Sequence, residues 1–153
     1  MRECKMSDHP IRMRGLDHVV LRVADLERAK AFYRDVIGCP EEKWQPELGL
    51  MQMRCGTSLI DLVDGKGVLG REGGVLAGNE GRNMDHFCIT LTEFDEVALR
   101  AHLTKHGVDP GELFAVRYGS EGYGRSFYIK DPDGNTLELK APADRPPDKP
   151  LPR

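Results

Sequence analysis

Two histidines and two carboxylates recur at matching places in this 153-residue chain. His18 stands in Asp17-His18-Val19-Val20-Leu21-Arg22-Val23, and His86 stands 68 residues later in Asp85-His86-Phe87-Cys88-Ile89-Thr90-Leu91. Each segment alternates or runs apolar like a strand and leads into a helix. Successive side chains of a strand point to opposite faces, so a helix covering Val19, Leu21 and Val23 leaves His18, Val20 and Arg22 on the far face. The same parity puts Phe87, Ile89 and Leu91 under a helix and His86, Cys88 and Thr90 opposite. In the last strand of each half Ile60 and Leu62, then Leu137 and Leu139, turn inward, which leaves Asp61 and Glu138 on the face of the histidines. Two imidazoles with one or two carboxylates suit a divalent ion, Zn, Ni, Mn, Co or Fe(II), with positions open for water or substrate. One such residue on the solvent side of a strand is ordinary. Its repetition in two halves singles these four out.

The elements that must hold them repeat as well. A helix after Asp25 as N-cap places Leu26, Ala29, Tyr33 and Val36 on one face and stops at Gly38. A second runs from about Phe94 through Val97, Ala101 and Leu103 to Gly107. Strands follow around Leu50 to Arg54 and Leu59 to Val63, and again around Arg125 to Lys130 and Thr136 to Leu139. They are joined by Cys55-Gly56-Thr57-Ser58 and by Asp131-Pro132-Asp133-Gly134-Asn135, both with tight-turn chemistry. The expected fold is α+β: two tandem βαβββ modules, about 14–65 and 82–140, forming a cupped mixed sheet with the helices outside. Gly65 to Gly81 reads as the linker and Tyr118 to Gly124 as a loop. Residues 1–13 and the Pro-rich 141–153 read as flexible tails flanking one domain, 14–140.

Composition narrows the function classes. A net charge of −3 argues against a dedicated nucleic-acid binder, and no apolar run approaches a membrane span. Cys4, Cys39, Cys55 and Cys88 form no Cys-x-x-Cys pair and read as reduced thiols. With no apolar stretch near the N-terminus to serve as a secretory signal, a cytoplasmic protein is expected. His102 and His106, four apart on the second helix, lack a third ligand, and Cys88 reads as a small filler beside the site. Tyr128 is the best placed of three tyrosines to offer a phenol.

These residues are similar to a known family. Leu16-Asp17-His18-Val19-Val20-Leu21-Arg22-Val23 with Asp25-Leu26, Ala31-Phe32-Tyr33-Arg34-Asp35-Val36-Ile37-Gly38, Asp85-His86, and Phe127 to Leu139 through Asp131-Pro132-Asp133-Gly134-Asn135 resemble the vicinal-oxygen-chelate superfamily. That superfamily includes glyoxalase I, fosfomycin-resistance thiol transferases, extradiol dioxygenases and metal-free bleomycin-resistance proteins. The resemblance implies metal ligands at His18, His86 and Glu138, and at Asp61, where glyoxalase I has a longer glutamate. It implies that Glu138 or Asp61 serves as catalytic base. Arg22 matches an arginine that binds a glutathione carboxylate, and Arg82 a similar arginine in some members. Ser120-Glu121-Gly122 and Ser126-Phe127-Tyr128 resemble the phosphonate loop of the fosfomycin enzymes, which assigns Ser120 and Tyr128 to substrate.

The resemblance departs from each subclass. Val63-Asp64-Gly65 replaces a glutathione-holding segment of glyoxalase I, while Val20 and a longer loop differ from the fosfomycin enzymes. The expectation is therefore a metal-dependent, glyoxalase-like isomerase or lyase. It chelates two adjacent oxygens of a small anionic substrate, with a thiol as co-substrate in one reading. A homodimer is expected, because in the resembling enzymes the site is often built from two chains. The alternatives are a thiol transferase, a ring-cleaving dioxygenase and a metal-free ligand-sequestering protein.

Overall fold

The computed structural model describes residues 10–149. The first module runs β1 (His18–Val23), α1 (Leu26–Ala31), a π-helical continuation (Phe32–Ile37), β2 (Glu41–Gln45), β3 (Leu50–Cys55) and β4 (Ser58–Asp64). A short α2 (Val68–Glu72) follows. The second runs β5 (Phe87–Thr90), α3 (Glu96–Lys105), β6 (Leu113–Gly119), β7 (Gly122–Lys130) and β8 (Thr136–Lys140). Each module is βαβββ, so the fold is the expected α+β pair of modules, as two four-stranded sheets ordered β1-β4-β3-β2 and β5-β8-β7-β6. Each helix follows its first strand and returns the chain so that β1 lies parallel to β4, and β5 parallel to β8.

Local signals set the helix ends. The Asp25 carboxylate accepts from Arg28 N at 2.9 Å, and that of Asp95 from Ala98 N at 3.0 Å, supplying acceptors for orphan helix N–H groups. Gly38, at φ 86°, ends the first helical run in a left-handed turn that other residues adopt at a cost.

One core holds both modules. Leu21, Val23, Ile60 and Leu62 from the first sheet and Phe127, Ile129, Leu137 and Leu139 from the second are buried together with Ala29, Phe32, Tyr33 and Leu103 of the helical segments. The modules are also pinned by polar contacts. The buried Tyr33 hydroxyl donates to Asp131 Oδ2 at 2.8 Å, and Asp133 Oδ1 accepts from Ala24 N at 2.8 Å. Burial and the Asp131 carboxylate push the Tyr33 phenol upward. Since the helix-side faces of both sheets share this core, their other faces turn away from it.

Several expectations need correction. Glu41–Gln45 and Leu113–Gly119 supply the third strand expected of each module but not placed, and the expected loop at Tyr118 to Gly124 is the β6–β7 hairpin, turning at Ser120-Glu121. Both strands lie at sheet edges, where charged side chains such as Glu41, Glu42 and Lys43 hide the alternation of a half-buried strand. The linker contains α2. The C-terminal segment is not free from residue 141. Ala141 N donates to Arg125 O at 2.8 Å, Tyr123 N to Arg145 O at 2.9 Å, and the Tyr123 hydroxyl to Asp148 Oδ1 at 2.7 Å, with the Arg145 guanidinium 3.8 Å from the Tyr123 ring centroid. It is held along β7 because that strand leaves backbone groups open there. Of the expected tails, residues 1–9 and 150–153, Cys4 among them, lie outside the described residues. No helix among the described residues is long and apolar enough to cross a membrane.

Candidate metal centre

The repeat extends to the register. Asp61 pairs with Val20 on β1 and Gln52 on β3, and Glu138 pairs with Cys88 on β5 and Tyr128 on β7. His18 and His86 stand two residues before Val20 and Cys88. Each module thus presents a histidine and a carboxylate from neighbouring parallel strands on the face turned from the core.

In the second module the pair is in contact, with His86 Nε2 3.2 Å from Glu138 Oε2. The Tyr128 ring stands edge-on to His86 with centroids 5.2 Å apart, and Arg117 Nε donates to its hydroxyl at 3.3 Å. Glu138 is only 6% exposed, and its Oε1 has no hydrogen-bond partner. A buried carboxylate oxygen without a donor is costly, and a bound cation would offset that cost.

In the first module Asp61, 3% exposed, accepts from Gln52 Nε2 at 3.1 and 3.2 Å, and Gln52 in turn accepts from Gln45 Nε2 at 3.2 Å. Its carboxylate is satisfied by an amide chain rather than by His18. The Asp17 hydrogen bond, and then the Asp61 charge, hold the His18 imidazolium above its usual range.

Both imidazoles are oriented alike, by residues the sequence reading passed over. His18 Nδ1 lies 2.6 Å from Asp17 Oδ1, and His86 Nδ1 lies 2.6 Å from Asp85 Oδ2. A carboxylate accepts only, so Nδ1 carries the proton and Nε2 is left to coordinate, the usual outer-shell arrangement of metal-bound histidine. The signal was present as the repeated Asp-His dipeptide.

The structure brings His86 and Glu138 into contact, whereas His18 and Asp61 share a face, with the carboxylate bonded to Gln52 and the imidazole to Asp17. Among the described residues no group of three or more His, Cys, Asp and Glu side chains is close enough to hold one ion. The donor chemistry nevertheless fits a divalent cation: Nδ1 atoms held by Asp17 and Asp85, Nε2 atoms left to coordinate, and an unpartnered oxygen on Glu138. Two ligands per half require a second half.

The expected anion ligands lie elsewhere. Arg22 Nε donates to Gly70 O at 2.9 Å and its terminal nitrogens donate to the carbonyls of Gly73, Gly74 and Val75, so its guanidinium closes the C-terminal end of α2. Arg82 donates to Asp133 O at 2.7 Å and Asn135 Oδ1 at 3.2 Å, bracing the β7–β8 turn. Ser120 is exposed at the tip of the β6–β7 hairpin. Tyr128 lies six residues along β7 from Gly122, which separates that tip from the Glu138 pair by roughly 20 Å at about 3.4 Å per residue. Cys88 shares the face of Glu138. His102 Nε2 is 2.9 Å from Val36 O, so this ring ties α3 to the first module.

A family profile described as the glyoxalase/bleomycin resistance protein/dioxygenase superfamily matches residues 15–139. The chain belongs to that superfamily. A catechol-2,3-dioxygenase of Bacillus subtilis (strain 168) is 30% identical over 132 residues, which is 86% of this chain but 42% of that enzyme. The chain therefore spans less than half the length of this curated relative. An integron cassette protein from the mobile metagenome of V. cholerae superposes with a TM-score of 0.68 at 29% identity, over 88% of this chain and all of that one. A lactoylglutathione lyase from Agrobacterium tumefaciens gives 0.58 at 24% identity, over 84% of this chain and 94% of that one. The last likeness carries the fold and not the activity. Superfamily members are largely enzymes that act on small molecules and typically use a divalent metal, and many form dimers.

Proposed function

We propose that the protein is a divalent-metal enzyme that acts on a small anionic substrate through two adjacent oxygens, with isomerase or lyase chemistry of the glyoxalase type. Its site takes His18 and Asp61 from one chain and His86 and Glu138 from the other chain of a homodimer. The observation that carries the reading is the identical register of the two His–carboxylate pairs on faces turned from the shared core. A single chain offers two half-sites, and a second copy completes both. Exposed Val20, at 49%, gives such a partner apolar surface to cover.

His18, His86 and Glu138 would hold Zn, Ni, Mn, Co or Fe(II), which when bound supplies a Lewis acid for developing enolate or alkoxide charge. Asp61 is a methylene shorter than Glu138 and is tied to Gln52. It serves as the base, accepting a substrate proton at a carboxylate oxygen while the Gln45–Gln52 chain fixes its orientation. Tyr128 closes the wall beside His86. Arg22 and Arg82 act through the loop and turn they brace, and Ser120 stays at the rim.

Elemental analysis of Asp61→Asn tests the division of roles. Retained metal with lost turnover supports a base, and lost metal makes Asp61 a ligand. A second reading, ring cleavage by Fe(II), is favoured by the 30% identical catechol-2,3-dioxygenase and by the fit of two histidines and one glutamate to an Fe(II) triad. Oxygen uptake with catechols by the iron-loaded protein, set against hemithioacetal isomerisation by the Zn- or Ni-loaded protein, separates the two.

A further inference from the structure

Lys140 is the least expected residue on the face that carries Glu138. It stands two positions further along β8, so strand parity puts both side chains on one face with Cα atoms roughly 7 Å apart. The residue is only 3% exposed, yet among the described residues its ammonium has no hydrogen-bond or ion-pair partner. The stem is covered while the ammonium, which is not one of the fully buried polar atoms, keeps contact with solvent and stays open to a ligand.

The neighbouring strands are shaped around it. Lys140 pairs with Ser126 on β7, and its side chain reaches across that strand toward β6. A Cβ at Gly124 would stand 3.1 Å from Nζ, and one at Gly119 would stand 3.0 Å from Cε and 3.2 Å from Cδ. Glycine at both positions leaves the trough in which the lysine stem lies. Arg117, paired with Gly124, adds a second cation to the same face, bonded to the Tyr128 hydroxyl and the Val116 carbonyl and laid over the Phe114 ring 4.0 Å from its centroid. Glu138 is the carboxylate beside them, and the reading above commits it to a metal.

We propose that Lys140, laid in the Gly119–Gly124 trough, is the anion-binding residue of this site, receiving a carboxylate or phosphoryl group of the substrate one strand repeat beyond Glu138. The inference rests on the proposed function and replaces Arg22 and Arg82, whose guanidinium groups are taken up by backbone carbonyls and Asn135, as the contact for the anion. The substrate class becomes a small molecule with two adjacent chelating oxygens and a separate anionic group several ångströms away. Lysine serves as a point charge here, without the planar fork that arginine would impose on the anion.

Calorimetric titration of the full chain with malonate and with inorganic phosphate, in metal-free and Zn-loaded forms, tests this. At least one anion is expected to bind, and the one that binds identifies the group as carboxylate or phosphoryl. Lys140→Met should weaken that binding at least ~10-fold by removing a charge-assisted contact, with metal content unchanged. Gly119→Ala, which keeps the charge but obstructs the stem, should weaken it in the same direction, so the proposal stays testable if Lys140→Met fails to fold. Binding of neither anion to the wild-type protein, or equal affinity in the variants, overturns it. Lys140-dependent anion binding by a protein that takes up no metal would end the metal reading and leave this one standing.

Discussion

The two modules share a backbone plan and differ in how it is furnished. In the second, His86 and Glu138 touch, the glutamate is nearly buried with one oxygen unpartnered, and Tyr128 stands edge-on to the imidazole. In the first, the shorter Asp61 is held by Gln52, and His18 is exposed with Asp17 as its bonded partner. Duplication preserved the register, while one methylene and one cross-strand neighbour, Gln52 against Tyr128, decide which pair is poised for a cation. In the proposed function this difference puts metal affinity chiefly in the second module and proton transfer in the first.

Variants that break this asymmetry should rank accordingly. Glu138→Gln removes the unpartnered carboxylate and should cost more metal affinity than the roughly 10–100-fold lost on changing an outer-shell partner. Competition with a chelator measures it, and an equal loss in Asp61→Asn would erase the proposed difference between modules. Asp85→Asn should lower affinity about 10–100-fold by freeing the His86 ring, with a similar loss for Asp17→Asn at His18. Both should retain the fold, as circular dichroism would show.

The thiols differ between modules as well. Cys39 and Cys55 interact as a pair, and hydrogen bonding from Cys39 holds the Cys55 thiol below its ordinary range. Partial burial, and then the Glu138 carboxylate, push Cys88 up to about 12. A thiolate is the reacting form, so alkylation at Cys55 should set in at lower pH than for an ordinary thiol while Cys88 stays silent at pH 8. Cys39→Ala should move the Cys55 profile to higher pH, and mass spectrometry of the labelled peptides reads both. The smallest effect is expected at the contact between modules. Tyr33→Phe removes one of four donors to the buried Asp131 and should lower unfolding stability by ~1–2 kcal/mol without changing metal affinity.

Much of the framework was legible from alternation and turn chemistry. Val19, Leu21 and Val23 against His18, Val20 and Arg22 separate by parity as the burial of β1 does, and Asp25, Gly38 and Gly107 mark helix ends. What alternation cannot supply is which surface meets which. It placed Arg22 on the correct face of β1, but its partners are carbonyls of a loop about fifty residues away, set by the path of the chain after β4. The family resemblance assigned Ser120 to substrate together with Tyr128, whereas a hairpin carries that tip along the strand. Lys140 escaped notice at the boundary of an expected tail, because the trough that receives it is made by two glycines on other strands. The pairing of half-sites is a property of assembly, which strand parity within one chain does not encode.

The central claim is that a site is completed across two chains, and mixed dimers test it most directly. His18→Ala and His86→Ala chains carrying different tags are co-expressed, and the mixed dimer is isolated for elemental analysis. If His18 and Asp61 of one chain face His86 and Glu138 of the other, the mixed dimer has one site with both histidines intact and should hold about one ion, while either mutant alone holds little. A mixed dimer as empty as the two parents would contradict the account and place each site within a single chain.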